Sequence, residues 1–260
     1  MLASILRWFR GDEPQALNDV PLCVPEWSEE MAEQHAAIWW KVKPYTMTSV
    51  ERVVALCQSM AYIEKHRIPG AVVECGVWKG GSMMAAALAL LALGSTRRRL
   101  MLFDTFTGMP NPSACDIDWR GESARDLLHQ SGHDADMVRA RCSLRDVKEA
   151  LMQTRYPWEK LSFIEGRVEN TLPAQAPEQI ALLRLDTDWH QSTRHELEHL
   201  YPRLAVGGVL IIDDYGHWQG ARRAVDEYFR DKGHVADLRT IDYTGRLLIK
   251  KARRVLSAAA

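Results

Sequence analysis

The 260-residue sequence predicts an α/β fold of the doubly wound, Rossmann-like kind: a seven-stranded, mostly parallel sheet with an antiparallel last strand and helices on both faces. Three observations carry this. Short apolar runs bounded by turn residues alternate with helix-like segments. Two of those runs, IALLRLD (180–186) and VLIIDD (209–214), end abruptly in carboxylates. The chain then closes on two strand-like runs, VADLRTID and GRLLIKK, joined by Tyr243-Thr244-Gly245 as a tight turn.

Residues 1–45 are broken early by Pro14, Pro21 and Pro25, and a helix is expected within Trp27 to Val42. This segment reads as an N-terminal arm over the core or a partner subunit, with a lid over a substrate pocket as the rival; terminal extensions are more often structural. The main domain is expected over residues 46–252, with 253–260 as a tail. Ser49 is placed to cap a helix over SVERVVALCQSMAYIEKH, and Glu51 suits the positive end of its dipole. Val53, Val54, Leu56, Cys57, Met60 and Ile63 form its apolar stripe, and Pro69-Gly70 stops it.

Residues 71–94 read as strand, glycine turn and helix. AVVE ends at Glu74; Gly76, Gly80 and Gly81 make the turn; Ser82 opens an Ala- and Leu-rich helix. The next strand, RLMLFDTF, ends in an acid at Asp104. This is the nucleotide-binding half of a doubly wound sheet, where glycines admit the ligand to the backbone and the second-strand acid accepts hydrogen bonds from ribose hydroxyls. The spacing is E-x-G-x-x-x-G rather than G-x-G-x-x-G, which favours a nucleoside without a pyrophosphate. Residues 105–141 are long, polar and interrupted by Gly and Pro, and they follow a ligand-side strand end, so a lid or substrate loop is expected there. A helix (LRDVKEALMQT) and a strand (LSFIEG, 161–166) lead through GRVENTLP to the first acid-terminated run. STRHELEHLYPRLA reads as a helix closed by Gly207-Gly208, and DYGHWQGARRAVDEYFRDKG as one stopped by Gly233.

The unit from 180 to 214 is strand, helix, strand, so parallel neighbours deliver Asp186, Asp188, Asp213 and Asp214 to one edge of the sheet. Four acids at one edge repel one another and require a cation or several protons.

Composition removes other classes. The hydrophobic fraction of 47% and charged fraction of 26% are those of an ordinary globular protein. A net charge of −1 speaks against a non-specific nucleic-acid binder, and Arg97-Arg98-Arg99 reads as a solvated turn. Cys23, Cys57, Cys75, Cys115 and Cys142 are odd in number and show no C-x-x-C spacing, against a zinc site or a disulfide framework and in keeping with a reducing cytoplasm. MLASILRWFRG is interrupted too soon by Arg7 and Arg10 for a signal peptide. The longest apolar run, from Met83, falls well short of the roughly 20 residues that span a bilayer, so no membrane partner is expected.

YTMTS (45–49), IPGAVVECGVWKGGS (68–82), FDTFTGMP (103–110), LLRLDTDWHQST (182–193) and LYPRLAVGGVLIIDDYGHW (200–218) resemble the macrocin O-methyltransferase family, over about residues 45–235. The resemblance implies a class I methyltransferase fold. It implies an S-adenosylmethionine- and Mg²⁺-dependent enzyme that methylates a sugar hydroxyl of a glycosylated natural product and releases S-adenosylhomocysteine. A cytoplasmic homo-oligomer is expected. By the same resemblance Glu74, Gly76, Val77 and Gly81 form the cofactor turn, Asp104 is the ribose acid, and Thr48 and Ser49 lie near the methionine end. Gly166 and Arg167 pass the adenine, with Arg167 replacing the aromatic or aliphatic residue usual there. Asp186, which also borders the cofactor, joins Asp213 and Asp214 as the magnesium ligands.

A sugar hydroxyl is a poor nucleophile. A cation held by hard carboxylates acidifies a coordinated hydroxyl and aims it at the methyl group. Catechol-type methyltransferases carry a Lys three residues after the first metal acid, where this chain has Trp189. Asp186 is therefore the first candidate base and His190 the second, although a His at a helix start also packs or caps. Asp188 is expected to support the metal acids, and His217 and Trp218 to line the substrate pocket. Two rivals stand: a catechol- or phenol-directed O-methyltransferase gated by Trp119, Trp189 or Trp218, and a non-catalytic binding module on the same fold. Clustered repelling acids count against the module, which gains nothing from them without a metal.

Overall fold

A computed structural model describes residues 29–130, 132–233 and 235–252. Most of the expected N-terminal arm and the 253–260 tail lie outside the described residues. The strands are β1 (Ala71–Cys75), β2 (Leu100–Asp104), β3 (Leu161–Glu165), β4 (Ile180–Leu185), β5 (Leu204–Ile212), β6 (Arg239–Thr240) and β7 (Arg246–Ile249). They form one sheet in the order β3-β2-β1-β4-β5-β7-β6. The first five are mutually parallel, and β7 inserts antiparallel between β5 and β6, as the sequence predicts. The order reverses beside β1, so the crevice beyond the carboxyl ends of β1 and its neighbours is where such a sheet binds ligands.

The helices are α1 (Glu29–Val42), α2 (Val50–Lys65), α3 (Gly81–Ala92), α4 (Ala124–His129), α5 (His133–Arg139), α6 (Leu144–Met152), α7 (Val168–Thr171), α8 (His190–Leu200) and α9 (Gln219–Asp231). The central strands are apolar on both sides because both faces are covered. One face packs Val72, Leu100, Leu102 and Leu182 under α1, α2, α3 and α6 through Ile38, Leu56, Met60, Leu90 and Leu151. The other packs Val73, Phe103 and Leu183 under α8 and α9 through Leu197, Leu200, Val225 and Phe229. Ser49 Oγ caps α2 by accepting from Arg52 N at 3.2 Å.

Three expectations shift. Helix α8 stops at Leu200, because Pro202 has no N–H to continue it; Leu204 and Ala205 are buried at the start of β5. The strand expected over VADLRTID contracts to Arg239–Thr240. Residues 105–141 carry α4 and α5 and share a small apolar cluster with α9 and the loops that enter α8 and α9. Its members are Ala124, Trp189, Trp218 and Ala221, with Met109, Leu127, Leu128 and Val138 against them. Trp189 and Trp218 meet edge to face at 4.9 Å, and Trp189 Nε1 donates to Pro110 O at 2.9 Å.

Candidate active site

The acids and the glycine turn of the site are delivered by strand ends. After β1 the chain turns at Gly76, φ +82°, where a Cβ would stand 1.9 Å from Asp186 O. Only glycine lets this turn lie against the end of β4, which is pinned by Asp186 N donating to Cys75 O at 2.8 Å. Asp104, at the end of β2, grips the turn: Oδ2 accepts from Val77 N at 2.6 Å and Trp78 N at 3.1 Å, and Oδ1 from Phe106 N at 2.7 Å. A cleft opens over these strand ends, with about 690 Å³ of space when the solvent at its mouth is included. Gly76, Val77, Asp104, Gly166, Arg167 and Asp186 line it, all of them cofactor candidates from the sequence. Met47, Trp78, Thr105, Met109, Glu169 and Thr187 line it too, unforeseen. Met47, Trp78, Thr105, Met109 and Thr187 fall inside the motifs quoted above, which was their only signal; Glu169 had none.

Thr48, Ser49, Glu74 and Gly81 are not among the lining residues. They buttress it. A Cβ on Gly81 would meet Tyr45 O at 2.5 Å, so glycine there lets segment 45–49 close over the turn. Thr48, Ser49 and Glu74 belong to a buried charge network centred on Arg184. Arg184 Nη1 donates to Glu74 Oε1 at 2.7 Å and Asp186 Oδ2 at 2.6 Å, while Nη2 donates to Thr48 Oγ1 at 3.0 Å and to Asp213. Arg52 bonds Asp213 as well, and its Nε donates to Asp242 at 2.9 Å. Ser49 Oγ also donates to Asp242, at 2.7 Å. Burial opposes the charge on Asp213, but Arg184 and Arg52 outweigh it and hold that carboxyl below its usual range. Burial pushes Glu74 up to about 8, with Arg184 opposing and the charges of Asp186 and Asp213 adding to the rise.

Asp186, Asp188 and Asp214 form the second half of the site. Each offers a carboxylate oxygen, and the three lie within 4.8 Å of one another. Burial pushes Asp188 up to about 7. Burial, then the charges of Asp188 and Asp213, pushes Asp214 up as well. Asp214 Oδ2 is buried with no hydrogen-bond partner among the described residues. Hard oxygens, like-charge repulsion and an unpartnered buried acceptor are the donor set that a divalent cation satisfies.

The expected cation trio of Asp186, Asp213 and Asp214 thus differs at one place. Asp188 stands in the group, and Asp213, with both oxygens engaged by Arg52, Arg184 and Thr48, stands behind it. His190 is not brought to the cleft: its Nε2 lies 2.9 Å from Glu227 Oε2, and its backbone N donates to Asp116 at 2.8 Å. Trp218 is buried in the 105–141 cluster rather than lining the cleft, and His217 Nδ1 lies 3.1 Å from the Tyr243 hydroxyl.

Across residues 21–250 the sequence matches the model of the macrocin-O-methyltransferase family. The chain belongs to the macrocin-O-methyltransferase family. It is an S-adenosylmethionine-dependent O-methyltransferase, which removes the non-catalytic module from consideration. Among its relatives, the 8-demethyl-8-(2,3-dimethoxy-alpha-L-rhamnosyl)-tetracenomycin-C 4'-O-methyltransferase of Streptomyces olivaceus is 32% identical over 206 residues, covering 79% of this chain and 76% of that protein. The mycinamicin III 3''-O-methyltransferase of Micromonospora griseorubida is 32% identical over 193 residues, covering 74% and 73%. The solved structure of the O-methyltransferase NovP matches with a TM-score of 0.71 at 30% identity, over 80% of this chain and 83% of that one. No described helix of this methyltransferase is long and apolar enough to cross a membrane.

Proposed function

We propose that this methyltransferase transfers a methyl group from S-adenosylmethionine to a sugar hydroxyl of a glycosylated natural product, with Mg²⁺ held by Asp186, Asp188 and Asp214. The observation that carries the metal is the grouping of those three carboxylates beside the cleft, with Asp214 Oδ2 buried and unpartnered among the described residues. The sugar acceptor is supported by two relatives whose names specify methylation of a glycosylated compound. The catechol reading needs an apolar gate, and two of the three tryptophans put forward for it, Trp189 and Trp218, fill the interior of the 105–141 segment instead.

The Gly76-Val77-Trp78 turn would hold the cofactor, with Asp104, which also accepts from Val77 N and Trp78 N, as the acid for its ribose hydroxyls, and Gly166 and Arg167 as the adenine-side residues. When bound, the ion lowers the pKa of a sugar hydroxyl in contact with it and fixes its direction. Methyl transfer is an in-line displacement: the hydroxyl oxygen bonds the methyl carbon, and the sulfur leaves with the electron pair of the broken bond. The hydroxyl proton must pass to a base. Asp186, the base expected from the sequence, accepts a hydrogen bond from Arg184, although burial outweighs that guanidinium and raises the carboxyl's affinity for protons. Asp188 shares that raised affinity and has no hydrogen-bonded arginine among the described residues, so its oxygens are the freer acceptors.

A panel of glycosylated and catechol acceptors, incubated with methyl-labelled cofactor with and without EDTA, tests this directly. Labelling of a sugar acceptor that EDTA abolishes and Mg²⁺ restores is expected. Labelling confined to catechols, or full transfer in EDTA, would overturn it.

A further inference from the structure

Helix α8 turns a carboxyl group back beneath the loop that presents two of the cluster acids. Glu196 is completely buried, and Thr187 Oγ1 donates to its Oε1 at 2.9 Å. Its Oε2 has no partner among the described residues. Thr187 joins Asp186 to Asp188 and lines the cleft. The loop is tightly wound there: Asp188 sits at φ +64°, and Trp189 N donates to Thr187 O at 2.7 Å. A non-glycine residue in the left-handed region costs free energy and persists only where its surroundings hold it.

Two residues of α8 supply that hold from one face. Ser192 Oγ donates to Thr187 O at 3.3 Å, and Glu196, four residues on, takes the Thr187 hydroxyl. An acid buried in this way is costly as a core residue. No cation among the described residues bonds it, and burial, then the charges of Glu169 and Asp186, oppose its ionisation. Glu196 is not among the residues that line the cleft, and it lies behind the loop that does.

We infer that Glu196 is a positioning residue: through the Thr187 hydroxyl it sets the turn that aims the Asp186 and Asp188 carboxylates at Asp214. This rests on the cation reading of that cluster. Glu196→Ala, Glu196→Gln, Thr187→Val and the double variant Thr187→Val/Glu196→Ala test it. Each is measured for Mn²⁺ binding by electron paramagnetic resonance, for S-adenosylmethionine binding by calorimetry, for kcat and for thermal midpoint. Glu196→Ala and Thr187→Val are each expected to weaken Mn²⁺ binding and lower kcat by at least about tenfold. Glu196→Gln keeps a partner for the hydroxyl and restores both. In the double variant the Thr187 change adds nothing to Glu196→Ala. Normal Mn²⁺ affinity and kcat with only a lowered thermal midpoint would overturn the inference, as would additive losses in the double variant. If the wild-type protein binds no Mn²⁺, the cation reading fails on its own, and the kcat coupling between Thr187 and Glu196 still decides the positioning role. If Glu196→Ala does not fold, a Thr187→Val variant with unchanged kcat overturns the role by itself.

Discussion

Glu74 and Arg184 face each other in register across β1 and β4, with Nη1 2.7 Å from Oε1 and both side chains almost wholly buried. The same guanidinium bonds Asp186 and Asp213, so one cation inside the sheet serves three carboxyl groups and shares Asp213 with Arg52. Arg184→Met is expected to destabilise the fold by about 3–5 kcal/mol, the usual loss when one partner of a buried pair is removed. Urea unfolding measures it; a loss near zero would show that the acids are neutral without the arginine.

Asp213 and Asp188 are expected to separate on substitution. Asp213→Asn leaves Arg52 and Arg184 short of a counter-charge and lowers stability first, with activity lost alongside it. Asp188→Asn relieves repulsion among Asp186, Asp188 and Asp214, so the metal-free protein keeps or gains stability while turnover falls. Melting curves beside initial rates distinguish the two. Equal destabilisation by both changes would contradict the division.

The acid cluster predicts a pH dependence with a definite sign. In the unfolded chain an aspartate titrates near 3.9, whereas Asp188 is pushed up to about 7 and Asp214 is shifted the same way. Between about pH 4 and pH 7 the folded state therefore holds more protons than the unfolded one, and stability falls as pH rises. A bound cation replaces those protons, so Mg²⁺ is expected to bind more tightly with rising pH and to flatten the loss. Thermal midpoints across that range, with EDTA and then with Mg²⁺, check it. A midpoint that rises with pH in EDTA would contradict it.

Trp189→Lys, which places a lysine where catechol-type enzymes carry one, is expected to create no base. Trp189 is buried against Trp218 and Ala124, so an ammonium there disrupts the 105–141 cluster. The loss is expected to reach about 3 kcal/mol or more, in the range of large core truncations. Retained stability with altered acceptor choice would instead place Trp189 in the substrate pocket.

Much of this was legible in the sequence. Apolar runs ending in Glu74, Asp104, Asp186 and Asp213 announce strands that deliver acids to one edge, and the closing turn announces the antiparallel hairpin. The engagement of Asp213 by arginines, apart from the group of Asp186, Asp188 and Asp214, was not legible, because it depends on Arg52, a helix residue, crossing to the end of β5. The burial of Trp189 and Trp218 was equally hidden: a tryptophan beside a metal acid reads the same whether it faces substrate or a lid. Thr187 and Glu196 lie nine residues apart and meet only because α8 folds back beneath its own entry loop.

The most direct test of a cation at this site is a calorimetric Mg²⁺ titration of the wild-type protein and of Asp214→Asn, each with S-adenosylmethionine present. One saturable site in the wild type, released by EDTA and lost in Asp214→Asn, is the predicted result. Equal binding by both proteins, or none by the wild type while methyl transfer continues, would contradict it.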